Sequence, residues 1–163
     1  MGYVFERMSA EHREPVIDIL NSFIANSFAA YEEEPVGYDF FDRLLDRSRG
    51  YPSLVVKDNL RGIVGFAFMH AHHAALALNS QAEITYFIMP DHTGKGLGTS
   101  ILERFVREAR KKGLESILAS ISSRNQQSVC FHLKNGFQEC GRFCNIGMKF
   151  GQRYDAIWMQ LHV

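Results

Sequence analysis

The spacing of apolar residues changes period along the chain, and each change marks an element. Residues 3–8 alternate and predict an opening strand. Over 10–28, Val16, Ile17, Leu20, Phe23, Ile24 and Phe28 recur at helical spacing behind Ser9, a suitable N-cap. The polar stretch Tyr31-Glu32-Glu33-Glu34-Pro35-Val36-Gly37 interrupts this as a loop, and a short helix follows near 38–48 with Phe40, Phe41, Leu44 and Leu45 inward. Strands are predicted at 53–57 and 62–72 around a turn at Asp58-Asn59, and a third at 82–89. The clearest helix comes next: Ile101, Leu102, Phe105, Val106 and Ala109 form its stripe, and Glu103–Arg107 and Glu108–Lys112 are expected i,i+4 pairs. Gly113 ends it. A strand at 115–121, a helix from about 125 to Gly136, and strands at 137–145 and 153–161 around a turn at 147–151 complete the pattern. The order β-α-α-β-β-β-α-β-α-β-β predicts a mixed α/β sheet in one domain spanning 1–163.

Composition narrows the function classes. A chain of 163 residues with 46% hydrophobic and 22% charged residues has enough apolar surface for one core. Lys plus Arg equals Asp plus Glu at 18 each, so no basic field points to nucleic acid. The local cluster of Arg107, Arg110, Lys111 and Lys112 falls late in a helix, where cations suit the dipole. No apolar run approaches the ~20 residues needed to cross a bilayer. Met1 to Arg7 does not read as a signal peptide, and Glu6 stands where a myristoylation signal needs Ser or Thr. Cys130, Cys140 and Cys144 lack metal spacing and fit reduced thiols, which predicts a cytoplasmic protein without a membrane partner.

The segment richest in chemistry runs from Gln81 through Ile101, a strand that enters a glycine-rich turn and opens a helix. Helix N-termini carry free N–H groups and partial positive charge, so such a join holds an anion such as pyrophosphate. Gly94, Gly96 and Gly98 remove Cβ atoms that would hold a ligand away from those donors. A P-loop is excluded, because Lys95 precedes the last two glycines and no Gly-Lys-Ser/Thr follows. A dinucleotide fingerprint is excluded because the third glycine is missing from Gly-x-Gly-x-x-Gly.

Thr93-Gly94-Lys95-Gly96-Leu97-Gly98 resembles the Gln/Arg-x-x-Gly-x-Gly/Ala motif of the GNAT family of N-acetyltransferases, with Thr93 in place of the usual Gln or Arg. Asn125 to Phe137 is similar to that family's Asn-x-x-Ser/Ala segment ending in Gly-Phe, with His132 where many members carry tyrosine. Tyr31 to Pro35, Glu83 to Ile88 and Gly147 to Asp155 resemble the phosphinothricin and methionine sulfoximine acetyltransferase branch. The resemblance implies a GNAT-like fold, in which the fourth and fifth strands splay and helices flank the sheet. It implies acetyl-CoA as co-substrate, no metal, a small-molecule amine acceptor and a homodimer. It also assigns contacts. The pantetheine arm runs along Tyr86, Phe87 and Ile88, one of whose N–H groups would hold the thioester carbonyl. The pyrophosphate rests on Gly94, Lys95, Gly96, Leu97, Gly98 and Thr99. Asn125 and Ser128 lie toward the pantetheine or the departing sulfur.

Acetyl transfer needs a neutral amine, and alkylamines near pKa 10 are mostly protonated at neutral pH. Glu83, early in the strand at 82–89, is the leading candidate base, and His132 the second. The ordinary alternatives are a solvated edge carboxylate and a hydrogen-bonded helix histidine. Tyr86 and Tyr154 are phenols able to protonate a thiolate, though strand aromatics are usually core. His70 and His72 share a face, but a metal would need a third ligand; the resemblance, in which the end of the third strand borders the acceptor pocket, implies that they line it. Amino-acid-accepting members of the branch carry a basic residue between the third and fourth strands, but the connection over 74–81 holds no Arg or Lys. Either Lys149 and Arg153 of the C-terminal hairpin, or a neighbouring subunit, supply the charge, or the acceptor is a less acidic amine. Two other readings stay open: an acyl-CoA-binding module without turnover, and acetylation of a protein N-terminus or lysine.

Overall fold

The structure, a computed structural model, describes residues 2–163. Seven strands form one sheet: β1 (Tyr3–Arg7), β2 (Ser53–Asp58), β3 (Gly62–Ala71), β4 (Gln81–Ile88), β5 (Ser116–Ser122), β6 (Gln138–Lys149) and β7 (Gln152–His162). Their spatial order is β1-β2-β3-β4-β5-β7-β6, antiparallel except for β4 with β5. This agrees with the mixed sheet expected from the hydrophobic pattern. The parallel pair covers only Gln81–Glu83 against Ser116–Leu118. Beyond Glu83 the two strands part, and β4 backbone groups that point away from β3 have no strand partner. That gap is the splay expected from the resemblance.

Helices cover both faces. On one face α1 (Arg13–Asn26) and α2 (Phe40–Arg47) bury Val16, Ile17, Leu20, Ile24, Phe41 and Leu44 against Val55, Phe66 and Phe68. On the other, α3 (Leu97–Lys111) buries Leu97, Ile101, Leu102 and Phe105 against Val64, Met69, Ile84 and Ile117. Here α4 (Gln126–Lys134) adds Val129 and the following Phe137. Alternation along β3 and β4 divides side chains between the faces: Phe66, Phe68 and His70 face α1 and α2, in register with Phe87, Thr85 and Glu83.

Local departures from the predicted pattern have physical causes. The first helix begins as a single 3-10 turn over Ala10–His12, where His12 Nδ1 accepts the Ser9 N–H at 3.0 Å. On α3, Glu108 pairs with Lys111 at 2.7 Å, not with Lys112. Lys112 is the C-cap, outside the last full turn, and lies over the Tyr51 ring. Neither Glu103 nor Arg107 forms an ion pair among the described residues. The closing hairpin is longer than expected: β6 runs to Lys149 and turns only at Phe150-Gly151. It tolerates the insertion by slipping register between Phe143 and Gly147. Gly147 is required there, since a Cβ would lie 2.0 Å from Tyr154 Cζ.

Candidate active site

The glycine-rich join begins where β4 ends. A 3-10 turn over Pro90–His92 leads into Gly94 and Gly96, both left-handed, with φ of 72° and 80°. Nothing lies within 4 Å of where their Cβ atoms would be, so the backbone faces open space. Gly96 is the N-cap of α3, and the first helical hydrogen bond runs from Ser100 N to Gly96 O at 3.0 Å. The amides of Leu97, Gly98 and Thr99 therefore have no acceptor within the helix. Gly98 also lets α4 approach α3, since a Cβ there would sit 3.0 Å from the Phe131 ring, and it lines the outer cleft. The side chain of Leu97 is core, and Lys95 is exposed and does not line the cleft.

Beneath the turn is a support that sequence reasoning missed. His92 and Asp58 are buried, the Tyr3 hydroxyl lies 3.0 Å from His92 Nδ1, and Asp58 Oδ2 lies 3.8 Å from it. These residues come from β1, β2 and the turn itself, and no local spacing connects them.

Two hollows meet at β4. The outer cleft, about 600 Å³, extends from Gly94, Gly96 and Thr99 past Ile88 to Phe23 and Lys134. The inner cavity, about 250 Å³, lies on the α1/α2 face between Phe66, Phe68, Phe40 and Leu44 and ends at His70, Glu83 and Arg47. Ala29, Tyr86, Phe87, Asn125 and Ser128 line both. Asn125 caps α4, its Oδ1 accepting the Ser128 N–H at 3.2 Å.

Glu83 and His132 do not meet. Both line the inner cavity: Glu83 pairs in register with His70 at one end, while His132 projects from α4 beside Asn125 and Ser128. The Glu83 carboxylate accepts a hydrogen bond from His72 Nδ1 at 2.9 Å and lies 3.6 Å from His70 Nε2. Arg47 donates to the same His70 Nε2 at 2.9 Å. A guanidinium can only donate, so His70 carries its proton on Nδ1, which donates to Ala71 O at 2.9 Å. Burial, helped by the Arg47 charge, lowers the His70 pKa and keeps the ring neutral.

His132 is 2% exposed and packs edge-on against Phe137. Its Nδ1 donates to Ser128 O at 2.7 Å and its Nε2 accepts from the Tyr86 hydroxyl. Burial pushes His132 down to about 4 and the Tyr86 phenol well up, so both are neutral near pH 7. The cations expected from the C-terminal hairpin lie elsewhere. Lys149 is buried, donates to Ala30 O at 2.9 Å and is lowered by desolvation, with Glu32 and Glu33 opposing. Arg153 is exposed, and neither lines the inner cavity. Instead Tyr31, stacked on Tyr154 and bonded to Ser120 Oγ at 2.9 Å, forms the cavity lip. The cation at the cavity is Arg47. Its sequence signal was present, since Phe40, Leu44 and Arg47 fall at i, i+4 and i+7 and share one face of α2.

The model of the acetyltransferase (GNAT) domain family matches residues 4–138. Over 150 residues the chain is 31% identical to the L-methionine sulfoximine/L-methionine sulfone acetyltransferase of Pseudomonas aeruginosa, covering 91% of this chain and 87% of that protein. It is 32% identical over 154 residues to the L-amino acid N-acyltransferase MnaT of Escherichia coli, again covering 91% and 87%. A phosphinothricin acetyltransferase from Sinorhizobium meliloti, solved in complex with acetyl-CoA, superposes with a TM-score of 0.92 at 25% identity. That match covers 100% of this chain and 89% of the other.

Proposed function

The chain belongs to the GNAT acetyltransferase family, and from that premise we propose that it transfers the acetyl group of acetyl-CoA to the primary amine of a small molecule held in the inner cavity. The observation that carries this reading is the junction of the two hollows at Tyr86, Phe87, Asn125 and Ser128, with an anion cradle on one side and Glu83 on the other. A cavity of about 250 Å³ suits a small amine.

The residues present fit coenzyme A. Amides of Gly94, Lys95, Gly96, Leu97, Gly98 and Thr99 match the pyrophosphate charge, Lys95 through its backbone alone. The β4 groups of Tyr86 and Ile88, which point away from β3 and are left unpaired by the splay, match the amides of the pantetheine arm, while the Phe87 backbone faces Phe66 on β3. Acetyl-CoA would supply the acetyl group as an activated thioester: a C–N bond to the amine forms, the C–S bond breaks, and coenzyme A leaves as a thiolate that takes up a proton to give the free thiol. Glu83 takes a proton from the substrate ammonium, directly or through water, which frees the nitrogen lone pair for attack. His72 orients that carboxylate and, about a third exposed at 32%, links it to solvent. A β4 N–H donates to the carbonyl oxygen as negative charge builds, a preorganised contact worth ~3 kcal/mol. His132 positions the Tyr86 hydroxyl at the junction and takes no proton itself, since burial disfavours its charged form.

The test is thiol release from acetyl-CoA across a panel of amines that includes methionine sulfoximine and phosphinothricin. Release with at least one amine, together with a thermal shift on adding acetyl-CoA, is expected. Absence of both would refute the reading. We further infer a homodimer through β6, an edge strand that exposes Phe143, Ile146, Met148 and Phe150. The exposed, unpaired Cys130, Cys140 and Cys144 fit a cytoplasmic setting.

A further inference from the structure

We propose that Arg47, at the last turn of α2, binds the carboxylate of the acceptor, and that the acceptor is an α-amino acid with one carboxylate and an apolar side chain. This rests on the acetyltransferase reading above and assigns the other half of its substrate.

Arg47 is the one Arg or Lys among the described residues that line the inner cavity. Its guanidinium forms no ion pair with a described carboxylate. It donates to a neutral imidazole, His70 Nε2, at 2.9 Å. A guanidinium aimed into a pocket with only a neutral partner keeps most of its capacity for an anion, which it binds through two parallel N–H groups. Arg47 is also exposed, so a ligand meets it without first breaking a buried pair.

The opposite charge is close by. Glu83 Oε2 approaches the same His70 Nε2 at 3.6 Å, so anion and cation flank a single ring nitrogen. An α-amino acid carries its ammonium and carboxylate on one carbon and spans such a gap in one orientation. The ammonium then faces Glu83 and the carboxylate faces Arg47. The same orientation sends the side chain toward Leu20, Phe40, Leu44, Phe66 and Phe68, which form an apolar wall. A substrate with a second anionic group finds Glu32 and Glu83 along the cavity and no second cation. A phosphinate side chain is therefore disfavoured.

The experiment compares L-methionine with its decarboxylated counterpart, 3-(methylthio)propylamine, and with phosphinothricin, by thiol release in the wild-type chain and in Arg47→Gln and Arg47→Lys. The wild type is expected to prefer methionine over the amine by ~30-fold or more in kcat/KM, as a charge-assisted pair implies. Phosphinothricin should be the weakest acceptor. Arg47→Gln should abolish the preference by raising KM for methionine more than it lowers kcat, and Arg47→Lys should restore part of it. Equal use of methionine and the amine by the wild type, an unchanged preference in Arg47→Gln, or phosphinothricin as the best acceptor would overturn the assignment and leave acetyl transfer standing. No thiol release with any acceptor would overturn the acetyltransferase reading itself.

Discussion

Replacing Glu83 by Gln keeps an oxygen to accept the His72 hydrogen bond but removes the charge that takes a proton from the amine. Glu83→Gln is therefore expected to lower kcat by roughly 10²-fold or more, with the acetyl-CoA thermal shift nearly unchanged. Equal losses in both would mean that Glu83 shapes the cleft and does no proton chemistry. His132 makes a different prediction. Burial holds it at about 4 in the folded chain against an ordinary value of 6.5. The unfolded chain takes up this proton first as pH falls. The contribution of the neutral ring is thus complete above pH ~6.5 and is lost as pH drops from there toward 4. Its size is about 3 kcal/mol, the equivalent of the shift. Urea midpoints measured across that window should fall less steeply in His132→Phe than in the wild type. The sequence ranked Glu83 ahead of His132 as candidate base but carried no sign of what surrounds either group. Phe137, Tyr86 and the Ser128 carbonyl close around the His132 ring, while Glu83, at the other end of the same cavity, is bonded to His72.

At the scale of elements, the glycine turn is where local sequence was most informative, because a left-handed residue at the mouth of a helix depends on neighbours in the chain. Gly96→Ala forces a Cβ into φ of 80° and costs ~1–2 kcal/mol or reshapes the turn. KM for acetyl-CoA should rise about tenfold, the equivalent of 1.4 kcal/mol, with a smaller change in kcat. Gly147 has no such local signature. It is required by Tyr154 on the facing strand, and Gly147→Ala should cost ~2–3 kcal/mol or more in chemical denaturation. It should also weaken amine binding, because the displaced Tyr154 ring supports Tyr31 at the cavity lip. The α2 helix shows the opposite case. Its apolar stripe was legible, but Arg47 at the end of that stripe reads as an ordinary charged terminus until the fold brings His70 beside it.

For the whole molecule, the sheet acts as the wall between two kinds of work. The N-terminus of α3 opens onto the outer cleft, while α1 and α2 supply much of the wall of the inner cavity that ends at Glu83. The shortened pairing of β4 with β5 opens the wall between them. A homodimer built on the exposed β6 edge predicts that Ile146→Glu yields a monomer by light scattering, while Gly96→Ala does not change the assembly. The sequence by itself determined the order of elements, the class of sheet, the glycine turn at the mouth of α3 and the resemblance that points to acetyl-CoA. Each of these is encoded in spacings of a few residues, where backbone geometry is local. Only the tertiary structure decided that Glu83 bonds to His72 while the His132 ring is closed in beside Tyr86, that Lys149 is withdrawn against Ala30, and that Arg47 reaches the inner cavity. Those outcomes depend on which face each strand turns to its neighbours and on burial, and both are set by contacts between residues far apart in the chain.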